Sequence, residues 1–255
     1  MSVEIYGTLG PSCADAATLV RMIGAGMTGI RLNLSHTTLR EAKPYLDAVR
    51  AAERGGVLRS RKSAALPGVE ISLPAMTAQD RENLALAPSC GVTAVMQPFV
   101  RSADDLKAVR AAMNECGGTD IRLFAKIENR RGMDALAELL PHADEIVIAR
   151  GDLGNAVPLW ELPAVQKRIA ARCRENGTPF MVVTQMLASM EHSRVPTRAE
   201  MSDVFNAVLD GAASVMVTGE TAAGETAAGE YPADVIRYLT LAAHAAETFL
   251  KENEI

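Results

Sequence analysis

The sequence predicts an α/β protein, a single (β/α)8 barrel domain spanning residues 1–255. Three observations predict it. Strand-like and helix-like segments alternate eight times in about 250 residues, the repeat of that barrel. Several of the strand-like segments, such as Phe180-Met181-Val182-Val183 and Ile146-Val147-Ile148, are apolar on both faces, as in a parallel sheet covered by helices. No linker-like stretch divides the chain. A doubly wound open sheet is the alternative arrangement of the same units.

In order, a first strand is read over residues 3–9, and a helix over about 15–25 stops at Gly24 and Gly26. A second strand covers 29–35 and a helix 39–54. Residues 62–66 make a short third strand before a turn at Pro67-Gly68. A helix over 77–86 leads to a fourth strand, 93–100, and then to an amphipathic helix over 102–114. The fifth strand is 122–128, with a helix over 131–140. The sixth is 145–149, with a helix over 160–176 closed by Gly177. The seventh is 180–186. Its helix, 197–209, opens on a capping box of Thr197 and Glu200, read as structural. The eighth strand is 214–218, and a last helix covers 233–251. The ETAAG of residues 220–224 is copied at 225–229, a local duplication rather than a repeat architecture.

Composition narrows the function. Hydrophobic residues make up 48% of the chain, enough for a core, but only 4% is aromatic, so that core is mostly aliphatic. A net charge of −5 and the lack of Lys/Arg runs argue against nucleic acid or an anionic membrane as partner. Cys13, Cys90, Cys116 and Cys173 lack metal-type spacing and read as free thiols in a reducing compartment. With no apolar stretch of spanning length and no signal peptide, a cytoplasmic location is expected.

The polar residues collect where such strands end. In 123–128, alternation puts Phe124, Lys126 and Glu128 on one face, and a lysine and a carboxylate there are costly to bury without a ligand. Asp152 follows the sixth strand, 24 residues after Glu128, about one strand-helix-strand step. In a barrel the site lies at the C-terminal strand ends. Two carboxylates there suit Mg2+ or Mn2+, which take one or two carboxylates plus substrate oxygens and water. Arg31, Asn33 and Ser35 share one face of the second strand and point to an oxyanion and cation site, with Arg31 and Lys126 facing phosphate or carboxylate oxygens. The plainer alternatives are a satisfied interior polar layer and a buried Lys126–Glu128 ion pair. Thr184, Gln185, Thr218 and Glu220 arrive at the ends of the last two strands. Gly151 and Gly154 would let backbone N–H groups face a carboxylate. His36 is read as structural, and His142, His192 and His244 have no evident partners.

The motifs in this order resemble the pyruvate kinase family: TLGPS at 8–12, IRLNLSH at 30–36, LPAMTAQD at 73–80, AKIEN at 125–129, ARGDLG at 149–154, TQMLASM at 184–190 and PTRAEMSDVFNAVLDG at 196–211, then TGETAAG after the eighth strand. The resemblance implies a barrel that binds phosphoenolpyruvate or pyruvate with Mg2+ or Mn2+ in cytoplasmic glycolysis. It implies that Arg31 and Lys126 contact the transferring phosphoryl group and that Glu128 and Asp152 bind the divalent metal. Thr184, with the backbone of Gly151 and Asp152, would hold the pyruvate carboxylate, Thr184 lying near the protonated carbon. Asn33 and Ser35 would belong to a K+ site.

The chain also departs from that pattern. Where the family reads roughly LDTKGPEIR after the third strand, residues 64–72 place Ala65 at the K+-binding aspartate, Pro67 at the lysine and Ser72 at the arginine. K+ dependence is therefore expected to be weak. The family's lid domain, inserted near 70–74, is missing, and a serine of the loop after the fourth strand stands as Pro98. The sequence stops after the last helix, so the family's C-terminal regulatory domain is expected to be absent. Because a lid excludes water and completes the charge clamp of phosphoryl transfer, transfer to ADP is expected to be weak. The same residues suit a metal-dependent lyase or decarboxylase working through a pyruvate enolate, or a non-catalytic metabolite-binding or partner-binding barrel. The nucleotide and the oligomeric state, a homo-oligomer among the options, stay open.

Overall fold

The computed structural model describes residues 2–34, 37–43, 46–47, 49, 74–222 and 231–253. In chain order the elements are β1 (Glu4–Thr8), α1 (Ala16–Gly24), β2 (Gly29–Arg31), α2 (Ala78–Leu86), β3 (Ala94–Gln97), α3 (Ala103–Glu115) and β4 (Arg122–Ile127). They continue with α4 (Arg130–Asp134), α5 (Leu136–Leu139), β5 (Glu145–Ala149), α6 (Arg150–Ala156), α7 (Leu162–Glu175), β6 (Phe180–Val183), α8 (Arg198–Leu209), β7 (Ser214–Met216), α9 (Gly219–Ala222) and α10 (Pro232–Glu252). Short 3-10 turns fall at Pro11–Cys13, Leu140–His142 and Ala188–Glu191. The class is α/β with parallel strand pairing, as the alternating pattern predicts. The third strand expected at 62–66, the 70–73 part of the lid junction and Ser35 and His36 lie outside the described residues, as does half of the helix expected at 39–54.

The chain forms two compact units, residues 1–37, 41–63 and 182–255 in one and 38–40 and 64–181 in the other. In the first, the strands run β2-β1-β7, with Gly7 opposite Ile30 and Ile5 opposite Val215. Asp15 caps α1 by accepting from Thr18 N at 2.9 Å. The chain leaves α1 through Gly26 at φ 111, where a Cβ would meet Thr240 of α10 at 2.6 Å. Leu19 and Met22 of α1 and Val235, Ile236 and Leu239 of α10 are buried in this unit's core. Burying each such side chain is worth about 1.5–3 kcal/mol.

In the second unit the order is β3-β4-β5, with Gln97 opposite Ala125 and Ile127 opposite Ile148. All of β5 is buried, which explains its apolar run after Glu145. β4 is buried from Leu123 onward except at Lys126. α2 starts on a capping box, Thr77 with Asp80. β6 lies across the division, with Phe180 and Met181 in the second unit and Val182 and Val183 in the first.

Several strands stop earlier than their apolar runs. The strand expected over 180–186 ends at Val183 because Thr184 (φ 81) and Gln185 (φ 54) turn into the left-handed region. The one expected over 93–100 ends at Gln97, ahead of Phe99 at φ 50. β2 ends at Arg31, so strand alternation does not carry Asn33 onto a common face with it. β7 ends at Met216, two residues short of the expected 218. The helix expected over 131–140 is broken at Ala135, whose ψ of 1 interrupts the ladder, and closes on Pro141. α7 starts at Leu162 rather than at residue 160, with Pro163 in its first turn.

Candidate functional site

In the second unit the residues just past β4 tie down the turn after β3. Lys126 Nζ lies 2.5 Å from Glu128 Oε1, and Glu128 is only 3% exposed. The other oxygen of Glu128 accepts from Phe99 N at 2.8 Å. Asn129 Nδ2 donates to Val100 O at 3.1 Å while its Oδ1 caps α4 through Gly132 N at 2.8 Å. Gly132 is required there, since a Cβ would sit 2.5 Å from Val100 O. Arg101 then pairs with Asp105 through Nε and Nη2 at 3.1 and 2.9 Å, and its backbone N–H adds a bond of 2.9 Å. Partial burial pushes the Asp105 carboxyl up, but these bonds together outweigh it and hold it below the usual 3.8.

Asp152 and Gly151 are half-buried in the first turn of α6, which begins directly where β5 ends. With Ile127 opposite Ile148, Glu128 and Asp152 both follow the C-terminal ends of adjacent parallel strands. Among the described residues no three His, Cys, Asp or Glu side chains gather to hold a metal ion. As residue types, two carboxylates suit Mg2+ or Mn2+, which would take substrate oxygens and water to complete the shell. Glu128 already takes Lys126 and Phe99 N, yet a carboxylate offers about four lone-pair sites. The ion pair and the metal ligand are therefore compatible roles for it.

In the first unit Arg31 is half-buried at the end of β2, where its carbonyl accepts from Leu9 N at 2.9 Å, and Asn33 is exposed. Thr184 is half-buried at the end of β6. Glu220, 1% exposed, accepts from Thr218 N at 2.7 Å and from Leu187 N at 3.3 Å. Glu200 closes the capping box of α8 and also accepts from Ser189 N at 2.7 Å. Local sequence pattern marks Glu200 only as a cap and gives no sign of the Ser189 and Leu187 bonds of Glu200 and Glu220.

Phe99, Thr184 and Gln185 are the only non-glycine residues with positive φ among those described, and all three fall within two residues of a strand C-terminus. Such backbone costs about 1–3 kcal/mol per residue and collects at functional sites. Nothing in an FVR or TQM tripeptide signals it. Asn129 was legible as an N-cap residue type after a strand. A cavity of about 450 Å3, by contrast, is lined by Arg110, His142 and Asp144 beside α3 and the N-terminal start of β5. That end of a barrel strand reads as structural.

The family described as pyruvate kinase, barrel domain, matches residues 51–236. The pyruvate kinase of Corynebacterium efficiens is 43% identical over 202 residues, 79% of this chain and 41% of that protein. That of Geobacillus stearothermophilus is 38% identical over 201 residues, 79% of this chain and 33% of its own length. Pyruvate kinase 2 of Saccharomyces cerevisiae is 40% identical over 197 residues, 77% and 38%. The chain spans about a third to two fifths of the length of the curated relatives it matches.

Proposed function

The chain belongs to the pyruvate kinase family, and from that premise we propose that it binds phosphoenolpyruvate or pyruvate with Mg2+ or Mn2+ on a closed (β/α)8 barrel. The observation that carries this reading is the set of left-handed residues at strand ends, one of them bonded to Glu128. Glu128 and Asp152 would hold the divalent metal, which when bound would polarise the keto oxygen of pyruvate. Lys126 and Arg31 neutralise charge on the phosphoryl oxygens, Arg31 as a fork and Lys126 as a point charge. Backbone N–H groups of Gly151 and Asp152 lie in the first turn of α6, where no intrahelical acceptor is available, and take the carboxylate. Thr184 orients the substrate at the carbon that gains the proton. Asn33 and Ser35 serve a monovalent cation weakly, because Ala65 replaces the aspartate of that site.

Phosphoryl transfer to ADP is slow on this chain. The segment between Val69 and Leu73 carries no lid insertion, and water exclusion over the nucleotide is lost with it. The test is pyruvate formation from phosphoenolpyruvate plus ADP, and separately from oxaloacetate, each with Mg2+ or Mn2+. Metal-dependent pyruvate from the first pair, at a kcat below about 1 s−1 against the usual kinase range, is the expected result. Pyruvate from oxaloacetate alone identifies a lyase instead. No product from either, with metal-dependent oxalate binding intact, identifies a binding barrel.

A further inference from the structure

Residues 184–191 follow β6 and start with two consecutive left-handed residues, Thr184 and Gln185. A segment that begins so must be held by its surroundings, and two carboxylates hold it. Glu220 is buried in α9. Its Oε1 accepts from Leu187 N at 3.3 Å, and its Oε2 accepts from Thr218 N at 2.7 Å and Thr218 Oγ1 at 3.3 Å. Glu200 approaches from α8. Its Oε1 accepts from Ser189 N at 2.7 Å, and its Oε2 accepts from Ser189 Oγ at 2.5 Å, Thr197 N at 2.7 Å and Thr197 Oγ1 at 2.8 Å. A capping box needs only the bond to the N-cap backbone. The bonds to Ser189 reach back across 11 residues to the segment that leaves β6.

We infer that Glu200 and Glu220 are positioning residues for Thr184: they clamp the backbone at Ser189 and Leu187 and so fix the Thr184 hydroxyl at the end of β6. This rests on the reading of Thr184 as a substrate-facing group. The clamp itself does not depend on which reaction the site performs. Neither carboxylate need touch substrate. Each acts through the loop, so its loss displaces a group that the ground state needs little and the reacting state needs more.

The variants are Glu200→Gln, Glu220→Gln and Ser189→Ala in the full chain. Glutamine also serves at the third position of a capping box, so Glu200→Gln keeps α8 capped, but its single amide oxygen cannot bind Ser189 and Thr197 as two carboxylate oxygens do. Amide hydrogen exchange in the 184–191 peptide is expected to rise about tenfold or more in both Gln variants, with the 122–127 peptide unchanged. Ser189→Ala, which keeps the backbone bond, gives a smaller rise. For phosphoenolpyruvate plus ADP, kcat is expected to fall about 10- to 100-fold while KM changes less than about threefold. Metal-dependent oxalate binding is retained. Unchanged exchange at 184–191 in both Gln variants overturns the clamp. Faster exchange with wild-type kcat overturns the positioning role. A wild-type chain without turnover removes the phosphotransfer reading instead, and the exchange rates still decide the clamp.

Discussion

Glu128 is shared between a cation and a backbone N–H, and that sharing sets what its replacement does. Removing its charge leaves the Lys126 ammonium, 15% exposed, beside a neutral amide. Glu128→Gln is therefore expected to lower the unfolding free energy by about 1–3 kcal/mol, read by urea titration. No change shows that Lys126 finds another partner. The cysteines behave in the opposite sense. Burial pushes the Cys13 thiol up to about 11 and the Cys173 thiol up to about 12, and among the described residues none of the four cysteines forms a disulfide. The thiolate is the reactive form, so iodoacetamide at neutral pH is expected to label the half-buried Cys90 and Cys116 first. Mass spectrometry showing Cys13 or Cys173 modified first contradicts their burial.

At the scale of elements, capping and carboxylate ties place the loops that the strands leave open. Thr197→Ala removes the hydroxyl that accepts from Glu200 N at 3.2 Å and is expected to cost about 1 kcal/mol, seen as a lowered Tm. Partial burial pushes the Glu200 carboxyl up, yet the bonds from Ser189 and Thr197 together leave it below the usual 4.5. Asp105 is likewise held below 3.8. Their contribution is complete above those ordinary values and is lost as pH falls through the depressed ones. Urea stability is therefore expected to drop between about pH 5 and pH 3, and Glu200→Gln flattens part of that drop. The sequence showed the α8 capping box because Thr and Glu three apart is a local pattern. It did not show the second use of Glu200, because Ser189 is brought to it by the turn at Thr184 and Gln185. The same turn explains why the sequence pattern runs three residues past β6: Met186 resumes the apolar run, and only backbone φ at Thr184 and Gln185 ends the strand. Likewise alternation gives Asn33 a face from a strand that ends at Arg31.

Over the whole molecule, the parallel α/β class was legible because β4, β5 and β6 are buried on both faces and spell this out in aliphatic residues. Lys126, Glu128 and Asp152 were legible because charge interrupts or ends those runs. No helix among the described residues is long and apolar enough to cross a membrane. The Ala65 substitution belongs to this scale too, since it removes a negative charge from the cation site that the family resemblance implies. Replacing K+ by Na+ is expected to change the rate of pyruvate formation less than about twofold, and strong K+ activation shows that another group supplies that charge. The central claim is that Glu128 and Asp152 form a divalent-metal site for a pyruvate-type ligand. Its most direct measurement is oxalate binding by calorimetry with and without Mn2+. Binding that requires the metal and is abolished by both Glu128→Gln and Asp152→Asn is the predicted result. Oxalate binding that is metal-independent, or that survives in both variants, contradicts it.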